Sequence, residues 1–161
     1  MHTDRTENPN KISTLTDLLS LFMAVYLTHW SSHWKSSGST SYGDHLLFER
    51  LYEAVSGEID VLAEKLLSGI AGPDFSHSVM VSAASDYVTD WEFEFPDVVS
   101  RSAHAEEVLQ NRLRMDFSWL ESTNDLPLGL NDFLAAAANT HDTHCYLLNR
   151  RMLENNYFGG P

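Results

Sequence analysis

Residues 44–68 read DHLLFERLYEAVSGEIDVLAEKLLS, with Leu47, Leu51, Val55, Ile59, Leu62 and Leu66 recurring every three or four positions. That interval lays all six along one side of a helix. No proline interrupts the run, and Gly69, Gly72 and Pro73 close it. A second stripe accompanies the apolar one. At ~100° per residue His45, Glu49, Asp60 and Glu64 fall at roughly 0°, 40°, 60° and 100° around the axis. Charged helix faces usually vary their polar residues, whereas these four are all imidazole or carboxylate, the donors of iron, zinc and manganese sites.

Working outward, residues 12–34 predict another long helix, with Leu15, Leu18, Leu19, Phe22, Tyr26 and Trp30 as its apolar track. Serine and glycine in 36–43 turn the chain between the two. Residues 74–95 predict a crossover with a short helix over 78–87 and a weak strand pattern over 91–95. A third helix is expected from Pro96–Asp97 to Ser122, where proline suits the first turn. After a loop at 124–129 a fourth runs over 130–155. The expected architecture is all-α: a ferritin-like four-helix bundle with a crossover between the second and third helices. The bundle occupies 12–155, between a flexible tail at 1–11 and a C-terminal tail at 156–161.

Composition narrows the function. A 161-residue chain with 43% hydrophobic residues is one domain with a real core. Its 23 acids against 10 bases give a formal charge of −13, which argues against nucleic acid as the main partner. The single cysteine, Cys145, rules out an internal disulfide framework and suits a reducing compartment; it reads as a small buried hydrophobe. The most apolar run, 18–27, is too short to span a bilayer, follows Asp17, and lacks the flanks of a signal peptide. A cytoplasmic location with no membrane is the expectation. Neither a glycine-rich phosphate loop nor a nucleophile elbow is present.

The metal-ligand stripe is too long for one ion. From His45 to Asp60 a helix rises roughly 22 Å, while metal–ligand bonds are ~2 Å. His33 closes the first helix and His45 opens the second, so the turn can bring these imidazoles together. Asp60 and Glu64, one turn apart, form a second half-site. A two-fold axis that sets one chain's histidines against its mate's acids would complete both halves, with Glu49 between them. A metal pair inside one bundle would instead use Glu-x-x-His on two helices, and no Glu here has a His three residues on.

The segment from His33-Trp34 through Gly38 and His45 to Asp60 and Ala63-Glu64-Lys65 resembles the signature of the mini-ferritins, the Dps proteins (DNA-binding proteins from starved cells). Tyr52 fits the same pattern. Asn131-Asp132-Phe133-Leu134 with Asp142, His144 and Leu148 is similar to their last helix. The resemblance implies a hollow homododecamer built from two-fold dimers. It would oxidise Fe(II), with hydrogen peroxide preferred and dioxygen slower, and hold the ferric mineral inside. His33 and His45 would ligate iron from one subunit and Asp60 and Glu64 from its mate, with Glu49 holding a second, weaker iron. These five are the expected ferroxidase residues, and iron is the only metal implied. Glu121, Asp125 and Asp132 are pore candidates.

Two departures from the family stand out. The tail has only Arg5 and Lys11 against Asp4 and Glu7, so DNA binding is not expected. Ser41 stands where the family usually has Phe. The alternative reading is a ferritin-like shell or interaction protein that has lost ferroxidase activity. Other histidines read more plainly. His29 with His33 and His141 with His144 have spacings that suit zinc on a helix, but such pairs are more often surface or interface residues. His77 and His104 show no partner set. Trp30, Trp34, Trp91 and Trp119 read as core or interface packing, although Trp34 beside a metal would be placed to intercept a stray oxidising equivalent.

Overall fold

The computed structural model describes residues 9–67 and 76–158, with side chains described over 13–67 and 76–153. Five helices make up the fold: α1 Pro9–Lys35, α2 Ser41–Lys65, α3 His77–Glu94, α4 Val98–Ser122 and α5 Leu128–Phe158. Four of them form the bundle, and α3 is the crossover. Among the described residues there is no strand. Gly69, Gly72 and Pro73, expected to stop the second helix, lie outside the described residues.

Local chemistry sets the helix ends. Pro9 opens α1, where the missing N–H costs nothing. Gly38 takes φ +86° in the α1–α2 turn, a left-handed value that glycine adopts without strain. Asp97 caps α4 by accepting the Ser100 N–H at 2.8 Å. Asn124, at φ 54°, ends the same helix in the left-handed cap position that asparagine tolerates. The Asp125 N–H then reaches back to the Leu120 carbonyl at 3.0 Å.

The crossover differs from its sequence expectation. It is a full 18-residue helix, and residues 91–94, expected as weakly strand-like, are its last turn. The alternating Trp-Glu-Phe-Glu-Phe imitates a strand. In the fold Trp91 is buried while Phe93 is 92% exposed, so the alternation does not divide inside from outside.

Helix α1 is the axis of the molecule, packed against α2, α3 and α4. Leu18, Leu19, Leu21, Phe22, Ala24 and Val25 are all buried, more than one helical face can supply. This explains why 18–27 is the most apolar stretch: the crossover covers the side of α1 that a plain bundle would leave wet. The core continues through Val55 and Leu62 of α2 and Leu66 at its C-cap, Leu109, Leu113 and Leu120 of α4, and Phe133 and Leu134 of α5. A smaller apolar cluster of Phe48, Leu51, Val99, Ala103 and Leu148 closes the other end. There Arg151 of α5 binds Asp44 of α2 at 2.5 and 3.0 Å and donates to Thr40 at 2.7 Å, fastening the last helix to the start of α2.

Candidate metal sites

His33 and His45 meet as the turn predicts. Their rings stack with centroids 3.6 Å apart and planes 27° from parallel. Each ring nitrogen Nδ1 lies at the other residue's carbonyl: His33 Nδ1–H donates to His45 O at 3.0 Å, and His45 Nδ1–H donates to His33 O at 3.2 Å. A carbonyl only accepts, so each imidazole donates through Nδ1–H. In the neutral ring Nε2 is then the nitrogen open to a metal, the arrangement by which backbone carbonyls orient metal-binding histidines. His33 is half-buried, with the Tyr52 ring 5.4 Å from it, and His45 is exposed. Ser41 opens α2 directly after the Gly38 turn, its N–H bonded to Gly38 O at 3.2 Å. The pairing is therefore built without the family's aromatic residue there.

The acids stand apart from this pair. Glu49 lies one turn along α2 from His45 and is half-buried. Asp60 and Glu64 are exposed. Asp60 lines an open groove of about 510 Å³ with Leu19, Ile59, Ala63, His77 and Met80. One chain thus brings together His33 and His45 but not Asp60 and Glu64, which face outward where another molecule can reach them. Of the pore candidates, Glu121 and Asp132 are exposed and Asp125 is half-buried. Trp34 is 61% exposed, with the Trp30 ring tilted against it at a centroid distance of 4.5 Å.

A second constellation lies inside the bundle. Glu106 of α4 is fully buried and receives three imidazoles: His29 Nε2 at 2.7 Å, His141 Nδ1 at 2.5 Å and His144 Nδ1 at 3.0 Å. The other nitrogen of His141, Nε2, donates to Glu58 of α2 at 2.9 Å. Four helices therefore contribute to one point. His29, His141 and His144 are not the surface or interface residues expected from isolated pairs; all three are buried. Glu106, His141 and His144 offer donor atoms all within 4.8 Å of one another.

Electrostatics hold this cluster charged. Burial would push the Glu106 carboxyl up, but the His141 charge and hydrogen bonds from His141, His144 and His29 outweigh it and hold the group well below the usual carboxylate range. His141 is the reciprocal case. Burial pulls it down, yet Glu106 and Glu58 together raise it to about 9. For His29 burial prevails over Glu106, and the ring is pushed toward its neutral form. Nearby Cys145 is half-buried rather than buried; burial and then the Glu106 charge push its thiol up to about 12, which favours the protonated thiol over the thiolate.

The Glu-x-x-His test misses this arrangement because the acids and imidazoles come from different helices. A signal was nevertheless present. Ala137, His141, His144 and Leu148 follow the core track of α5, and Ser102, Glu106, Leu109 and Leu113 follow that of α4. Ionisable residues at core positions are rare unless partnered.

Of the solved structures, Dps from Thermosynechococcus elongatus superposes on this chain with a TM-score of 0.73, at 20% identity, over 89% of this chain and 90% of that one. This chain has the Dps fold. The ferritin-like bundle expected from helix spacing is thus the one observed, with the Dps crossover between α2 and α4. No family model matches the sequence, and no curated protein matches it either. Among the described residues no helix is long and apolar enough to cross a membrane.

Proposed function

We propose that this protein is a Dps-type mini-ferritin that oxidises Fe(II) and keeps the ferric product in a hollow homododecamer assembled from two-fold dimers, protecting a cytoplasm from peroxide and free iron together. His33 and His45 of one subunit would hold iron with Asp60 and Glu64 of its mate, and Glu49 would hold a second, weaker ion. Hydrogen peroxide is the preferred oxidant. One peroxide takes an electron from each of two Fe(II) ions and leaves as water, with protons drawn from solvent. Carboxylates stabilise Fe(III) as it forms, and the small number of protein donors leaves positions open for oxidant. Outward acids, with Glu121, Asp125 and Asp132 near the α4–α5 turn, suit the passage of cations.

The observation that carries this reading is the reciprocal His33–His45 pair, which presents two Nε2 lone pairs side by side at an accessible turn. The Dps fold supports the subunit arrangement. Anaerobic Fe(II) loading followed by peroxide titration is the test. Wild-type protein should give a rise in ferric absorbance that Asp60→Ala protein largely loses. Equal traces from the two would instead favour a shell without iron chemistry.

A further inference from the structure

The bundle interior holds a constellation that the shared iron site does not use. We propose that Glu106, His141 and His144 form a second metal site, wholly within one subunit, that takes a divalent first-row transition ion of the zinc class. Two imidazoles and one carboxylate, with a water in the fourth position, are a tetrahedral donor set of the kind such an ion selects. The nitrogens of His141, His29 and His144 converge on the Glu106 carboxylate at 2.5, 2.7 and 3.0 Å. Ligands of a tetrahedral ion with bonds of ~2.0–2.1 Å stand about 3.3 Å apart. The donor atoms of Glu106, His141 and His144 lie within 4.8 Å of one another, so adjustments of at most about 1.5 Å reach that spacing, while His29 donates to Glu106 at 2.7 Å.

Charge and hydrogen bonding point the same way. With no cation, the three N–H groups crowd onto Glu106 while His29 Nδ1 stays buried without a partner. The cluster is not closed by its own hydrogen bonds. A divalent ion that displaces the His141 proton to solvent balances the carboxylates of Glu106 and Glu58. Glu58 then acts as a positioning residue: it accepts from His141 Nε2 and fixes which ring nitrogen faces the ion. It also marks the approach. Glu58 lines a groove of about 580 Å³ between α2 and α5, with Lys65, Asp132, Phe133 and Thr140, that opens to solvent. A cation passing Glu58 reaches His141 next.

The experiment uses chelator-stripped full-length protein carrying His33→Ala and Asp60→Ala, which removes the shared site, and titrates it with Co(II) as a spectroscopic stand-in. The expected result is one cobalt per chain with the intense visible bands of tetrahedral coordination. Adding Glu106→Gln should abolish those bands, and adding Glu58→Gln should weaken binding on the order of tenfold to a hundredfold. A folded His33→Ala/Asp60→Ala protein that binds no cobalt, or binding indifferent to Glu106→Gln, overturns the proposal. Anomalous scattering from zinc-soaked wild-type crystals decides independently of how the variants fold. A peak bonded to Glu106 and His144 supports the site, and density confined to His33 and His45 refutes it.

Discussion

His33 and His45 each spend one ring nitrogen on the other's backbone, so neither ring can turn without losing a hydrogen bond. Replacing His45 by alanine removes one donor and frees the other to rotate. Outer-shell losses alone typically cost ten- to a hundredfold in metal affinity, and this one removes a ligand as well, so peroxide-dependent iron oxidation should fall by at least about tenfold. Initial ferric absorbance rates at limiting Fe(II) measure it. Phe22 sits at the opposite extreme of chemistry and of burial. Its ring lies 6.0 Å from Phe133 and 5.6 Å from His141 with no exposed surface. Phe22→Ala should lower unfolding free energy by ~3–5 kcal/mol in urea titrations, through lost burial and an unfilled cavity.

Among the elements, α2 was the most readable because its apolar track is unbroken from Leu47 to Leu62. Its apolar residues Leu51, Val55 and Leu62 are buried, as is Leu66 at its C-cap, while His45, Asp60 and Glu64 are exposed and Glu49 is half-buried. Phe48, absent from the predicted face, is buried because Val99 and Leu148 meet it at the far end. That contact is tertiary, and periodicity within one helix does not contain it. The crossover was harder for the same reason: what makes α3 a long helix is its packing on α1, not its own weak pattern. The buried Glu106 cluster was least legible, since His29 and His141 reach Glu106 across 77 and 35 residues. Two element-scale outcomes follow. Asp97→Ala, which removes the α4 cap, should cost ~1 kcal/mol of stability by thermal or chemical melting. Arg151→Met breaks the tie between α5 and the start of α2. It should slow iron oxidation without altering any proposed ligand, because the α1–α2 turn that aligns the imidazoles is fastened there. If that variant oxidises iron at the wild-type rate, the fastening has no part in positioning the pair.

For the whole molecule, a formal charge of −13 sets the long-range behaviour. A cation-attracting surface acts through a field that salt screens over ~10 Å at 0.1 M. Fe(II) uptake should therefore slow as sodium chloride rises, while plasmid DNA should show no retardation in a gel at any salt concentration. A retarded plasmid would mean that some basic patch outweighs the overall field. The outward placement of Asp60 and Glu64, away from the chain's own histidines, also bears on genetics. On the proposed sharing, a His33→Ala/His45→Ala chain and an Asp60→Ala/Glu64→Ala chain are each inert as pure homo-oligomers. Co-expressed, they pair so that one junction of each mixed couple inherits both histidines with Asp60 and Glu64, and the other inherits none of those four. Two dead alleles should thus rescue one another in the same cell.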